Sequence, residues 1–179
     1  MPKAAPDPRP HRRLTDADRR WLVRALGAAA IAVLPGCQSV LDLGLGGGTG
    51  PAVIEAKSGT EALTRIRSSR GLPLLRPDPS LERAALQQAT YMARSRRMEH
   101  TTGHGRDFAT RVRENAIEGA AAENIAHGRF DPGRLFTAWM NSSGHRKNML
   151  DERFSRFGLA SVEEADGSGR RYWALVLAE

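Results

Sequence analysis

Residues 139–150, WMNSSGHRKNML, decide how the rest of the chain is read. A small, polar, glycine-containing turn there presents His145 just after an amphipathic helix and just before a short apolar stop, Met149-Leu150. Leu135, Phe136 and Trp139 give the preceding helix one apolar face. Asp131-Pro132 starts that helix, with the aspartate as N-cap and proline at the first helical position, where a missing N–H costs nothing. Two further segments carry chemistry: His100 in MEHTTGH, and Glu123-Asn124 in AAENIAHG, where small residues surround an acid and an amide. The expectation is that these three places converge on one polar site.

Working outward, Ser58-Gly-Thr-Glu61 has the spacing of a capping box and predicts a first helix running to Gly71, with Leu63 and Ile66 on its apolar side. Asp78-Pro79 repeats the cap-plus-proline start. The helix it opens runs to about Arg97, with Leu81, Ala85, Ala89 and Met92 in one stripe whose alanines permit close approach to a neighbour. Phe108 and Val112 are an i, i+4 pair on a shorter helix over about 106–115. Residues 157–163 and 171–178, separated by the turn Asp166-Gly-Ser-Gly169, read as a β-hairpin enriched in apolar and aromatic residues. Helices first and paired strands last give an α+β fold.

The composition, 40% hydrophobic and 26% charged over 179 residues, is that of a soluble globular chain with one core. The net charge of +7 is concentrated at the N-terminus: residues 1–36 hold seven of the 27 basic side chains but three of the 20 acidic ones. The rest is close to balanced and has no basic groove interleaved with aromatics, which argues against nucleic acid as a partner. The single cysteine, Cys37, excludes an intrachain disulfide.

Residues 25–35, ALGAAAIAVLP, form an apolar run of signal-peptide length, short of the roughly 20 residues that span a bilayer. Just before it, residues 18–24, DRRWLVR, resemble a twin-arginine export motif, and Leu34-Pro35-Gly36-Cys37 resembles a bacterial lipobox, with proline at a position usually held by a small or hydroxylated residue. An ordinary cleaved signal with an incidental cysteine is the plainer alternative. The sequence therefore divides into an export signal with a lipobox-like end at 1–37, a glycine-rich linker at 38–57 and a folded domain at 58–179.

GLPLLRPDPSLERAALQQATYMA, EH, AAENIA, AWMNSSGHRKNML, FGLAS and RYWALVLA, in that order, resemble the bacterial branch of the CAP superfamily, the SCP-like extracellular proteins. The resemblance implies an α-β-α sandwich, a small antiparallel sheet between helical layers with a cleft on one side. It also implies a histidine/glutamate cluster able to hold a divalent metal such as zinc, carried over here onto His100, Glu123 and His145. Ser142 and Tyr172 stand where animal and plant members carry a second glutamate and a last-strand histidine, and Ala174-Leu175 replaces a Thr-Gln pair, so a two-His, two-Glu tetrad is not evident. Each residue also has a plainer role: Glu123 as a loop tie, His100 as a cap on the helix before it, and His104 and His127 as solvated or locally bonded. Arg146 and Asn148 read as bonding the turn to the following loop.

The leading functional expectation is a monomeric, envelope-anchored binding module whose cleft takes a lipid, peptide or glycan, held to the membrane through Cys37. A metal-dependent hydrolase acting on peptide or cell-wall material, and a purely structural envelope protein, are the alternatives.

Overall fold

The computed structural model describes residues 49–179. The export signal, Cys37 and the first part of the linker lie outside the described residues. The strands are β1 (Thr49–Ile54), β2 (Arg76–Pro77), β3 (Ala121–Gly128), β4 (Arg156–Glu164) and β5 (Arg171–Ala178). The helices are α1 (Ala56–Ser68), α2 (Pro79–Ser95), α3 (Phe108–Glu114), α4 (Pro132–Asn141) and α5 (Ser143–Leu150). No helix among the described residues is long and apolar enough to cross a membrane.

The five strands form one sheet in the order β1-β4-β5-β3. The pairings along that path are antiparallel, and the two-residue β2 adds to β4 in parallel. Side chains alternate across a pleated strand, and here the alternation sorts two cores. Ala160, Val162, Tyr172, Ala174 and Val176 pack with α2, whereas Phe157, Leu159, Trp173, Leu175 and Leu177 pack with Leu63 of α1, Leu135 and Trp139 of α4 and Met149 of α5. The α-β-α sandwich expected from the sequence is therefore the fold.

The alanine stripe on α2 is what brings that helix down onto the sheet. Leu81, Ala85, Ala89 and Met92 are fully buried, and a Cβ at Gly158 on β4 would overlap the backbone of Leu81 and Glu82. The position is set from below: the Asp78 N–H donates to the Phe157 carbonyl at 2.9 Å, so α2 starts directly above β4, and the Asp78 carboxylate caps Ser80 and Leu81 at 2.9 and 3.1 Å.

Three expectations change. Thr49–Ile54, read as linker, forms an edge strand paired with β4 from Thr49↔Glu164 to Ile54↔Ala160. Gly50 is useful there because its missing side chain lets the strand lie against Glu163. The first helix begins at Ala56 with Glu55 at the cap, three residues earlier than the predicted cap at Ser58; the Ser58 hydroxyl turns back to the Glu55 carboxylate at 2.8 Å instead of capping. It also ends at Ser68 rather than Gly71, which follows in the left-handed conformation. Finally, His145 sits within a helix, α5, rather than in a turn.

Candidate functional site

The strand β3 is an edge of the sheet, and Glu123 and Asn124, as consecutive residues, face opposite layers. Glu123 points to the α2/α3 side. Its carboxylate meets His100, which follows the end of α2, with His100 Nδ1 2.8 Å from Glu123 Oε1. Because Nδ1 faces a carboxylate oxygen, it carries the ring hydrogen and donates it. The Glu123 side chain is 2% exposed and that of His100 is 55% exposed, so the ring has one buried edge and one open to solvent.

A residue overlooked in the sequence completes this half. Arg111 of α3 is fully buried and donates from Nη2 to both Glu123 oxygens, at 2.9 and 2.7 Å. The same guanidinium donates to the carbonyls of Arg106, at 2.9 Å, and His100, at 3.3 and 3.4 Å. The available signal was position: Arg111 is three residues after Phe108 and adjacent to Val112, on the side of α3 that carries the apolar pair.

Asn124 points the other way and is fully buried. Its Nδ2 donates to the His145 carbonyl at 3.1 Å, and its Oδ1 accepts from Asn148 at 2.9 Å, so β3 holds α5 in place. Asn148 thus bonds to β3 rather than to the following loop. Arg146 turns back to the Met140 carbonyl at 2.7 Å, satisfying an acceptor near the C-terminal end of α4. Trp139 donates its indole N–H to the Ile125 carbonyl at 3.2 Å and lies edge-on to the His145 ring, centroids 6.3 Å apart.

His145 is partly buried. Burial, and then the nearby charge of His100, hold its pKa below the usual histidine value. Of the three expected site residues, His100 and Glu123 are in direct contact, whereas His145 lies on α5, tied to β3 through its carbonyl and Asn124. His127, at the far end of β3, bonds Glu164 at 2.7 Å and stacks on Tyr172 with centroids 4.1 Å apart, a local role. A groove of about 480 Å³ between α1 and α4, walled in part by Ala62, Ile66, Phe136 and Met140, includes none of His100, Glu123 and His145.

The CAP family model, described as the cysteine-rich secretory protein family, matches residues 60–177. The chain belongs to the CAP family. Similarity extends to an uncharacterized Bacillus subtilis protein, YkwD, at 32% identity over 108 residues, covering 60% of this CAP chain and 42% of YkwD. An SCP-domain-containing extracellular protein of Bacillus anthracis superposes with a TM-score of 0.57 at 26% identity, covering 65% of this chain and 37% of that one. An outer surface protein of Borrelia burgdorferi gives a TM-score of 0.61 at 20% identity, a likeness of fold, with 69% of this chain and 90% of that one covered. The chain thus spans less than half the length of the two Bacillus proteins.

The expected metal set of this CAP domain was His100, Glu123 and His145. Glu123 is a poor ligand for such a centre, because the buried Arg111 guanidinium already balances its charge and His100 Nδ1 engages Oε1. Among the described residues, no group of three or more His, Cys, Asp or Glu side chains is arranged to hold a metal ion.

Proposed function

We propose that this chain is an exported CAP domain, anchored through a lipid on Cys37, that binds a ligand at the imidazole pair His100 and His145. The observation that carries this reading is the disposition of His100: its Nδ1 edge is fixed on buried Glu123 while more than half of its side chain is open. A polar group held so firmly from behind and left free in front is suited to recognition, since little ordering remains to be done on binding. Hydroxyl- and amide-bearing ligands, a glycan or a peptide, suit two imidazoles better than a lipid tail does.

The relatives support the location. The Bacillus anthracis match is described as extracellular and the Borrelia match as an outer surface protein. The segment from Gln38 to Gly48 would separate an acylated cysteine from β1 by at most about 40 Å. A metal-dependent hydrolase has less to support it, because among the described residues no group of three or more His, Cys, Asp or Glu side chains is arranged to hold a metal ion.

The test is a titration of the full chain with soluble peptidoglycan fragments, with mixed peptides and with phospholipid vesicles, following the imidazole resonances of His100 and His145. A saturable shift that disappears in a His100→Ala/His145→Ala variant is expected with the fragments or peptides. Shifts with none of the three, or shifts that survive the double substitution, would remove the reading. Incorporation of labelled fatty acid, expected in the wild type and absent from Cys37→Ser, tests the anchor.

A further inference from the structure

We infer that Arg111 is the internal cation of this site and a positioning residue for His100: it holds Glu123 as an orienting group rather than a metal ligand and leaves His100 Nε2 as the atom offered outward. The first ground is burial. Arg111 has no exposed side-chain surface and Glu123 has 2%, and the two meet through bonds of 2.7 and 2.9 Å. A guanidinium is planar, permanently charged and matched to a carboxylate, so neither Glu123 oxygen is left uncompensated. A metal ion on Glu123 would add a second cation against a carboxylate whose charge Arg111 already balances.

The second ground is that Arg111 grips His100 at both ends. It binds the His100 carbonyl directly, at 3.3 and 3.4 Å, and reaches the ring through Glu123. The neighbouring main chain is fixed as well, by Gln88 Nε2 donating to the Glu99 carbonyl at 2.6 Å. With backbone and Nδ1 both fixed, the ring has one orientation and one tautomer. Its other nitrogen, Nε2, then carries a lone pair toward the open side, where it can accept a hydrogen bond from a ligand hydroxyl or amide, or bind a metal with Glu123 as its second neighbour. The inference does not depend on ligand binding, so it stands or fails separately from the function proposed above.

Nitrogen-15 NMR of the full chain at about pH 8, where histidines of ordinary pKa are neutral, reads the tautomer directly. The expectation for wild-type His100 is the Nδ1–H form in at least tenfold excess; a predominant Nε2–H form would overturn the proposal. Arg111→Lys keeps the charge but loses the planar group that reaches Glu123 and the Arg106 and His100 carbonyls at once. In a variant that still melts cooperatively, the tautomer ratio of His100 should fall toward one while that of His145 stays put, an effect that a purely stabilising role for Arg111 does not produce. Retention of the wild-type ratio refutes the positioning role. A measurement on the wild type covers the case in which that variant fails to fold. Zinc alone is added, and the Arg111 guanidinium resonances are expected to stay unchanged whether or not His100 Nε2 shifts. Their displacement by zinc would show Glu123 acting as a metal ligand and overturn the inference.

Discussion

Replacing Gly158 with alanine tests the closeness on which the sandwich depends. The added methyl would collide with the main chain of Leu81 and Glu82, not with a side chain that can rotate away. That main chain is the first turn of α2, fixed by the Asp78 cap and by the bond from Asp78 N–H to Phe157, one residue before the substitution. Overpacking of a core costs about 1–3 kcal/mol, and a rigid obstacle places this site at the upper end. The reduced entropy of the unfolded chain offsets about 0.4–1 kcal/mol. The net expectation is a loss of about 2–2.6 kcal/mol, which for a domain of this size lowers Tm by roughly 10 °C. Circular-dichroism melts and urea titrations of the full chain measure it. Gly144→Ala is the matched control: it lies in the first turn of α5 with nothing within 4 Å of the added carbon, so it should be neutral or stabilise by up to about 1 kcal/mol. A Gly158→Ala protein within about 0.5 kcal/mol of wild type, near the ordinary range for surface changes, would refute the reasoning.

Two other outcomes follow from the same geometry. Arg67 is fully buried and donates to the carbonyls of Pro73, Met149, Asp151 and Phe154 at 2.6, 3.1, 2.9 and 3.4 Å, so Arg67→Met should cost about 3–5 kcal/mol in chemical denaturation, with Arg67→Lys recovering only part. A loss under 1 kcal/mol would mean water reaches those carbonyls. For His145, the lowered folded pKa means that the unfolded chain binds the proton more readily. Its contribution to stability is therefore present above about pH 6.5 and is lost as pH falls below that value. An NMR titration should place its midpoint below about 6.5, and His100→Asn should move it upward without restoring the ordinary value, since burial is the larger cause. An unmoved midpoint would show that the two imidazoles do not sense each other.

Much of this fold could be read from short signals whose physics is local. Asp78-Pro79 and Asp131-Pro132 start α2 and α4, with both aspartates capping as expected, because an N-cap depends only on residues within one turn. The capping-box spacing at Ser58-Glu61 misled because Glu55, three residues upstream, offers the Ser58 hydroxyl a better acceptor. β1 was hidden by glycines that read as tether, although Gly50 serves close strand approach. α5 shows almost no apolar period; it stands because Met149 is buried and because Asn124, Asn148 and Arg146 bond it to its neighbours. In the site, His100, Glu123 and His145 were legible as residue types. Arg111 was legible only through its position on the apolar side of α3, a weak signal because a charged residue on a short amphipathic helix ordinarily faces water.

The alternation along β3 has a consequence for how the site fails. Glu123 answers to the layer of α2 and α3, and Asn124, one residue later, to the layer of α4 and α5. The two imidazoles are thus carried by separately packed halves of the molecule that share a single strand as their common rule. Packing in the layer of α2 and α3 therefore bears on His100, and packing in the layer of α4 and α5 bears on His145.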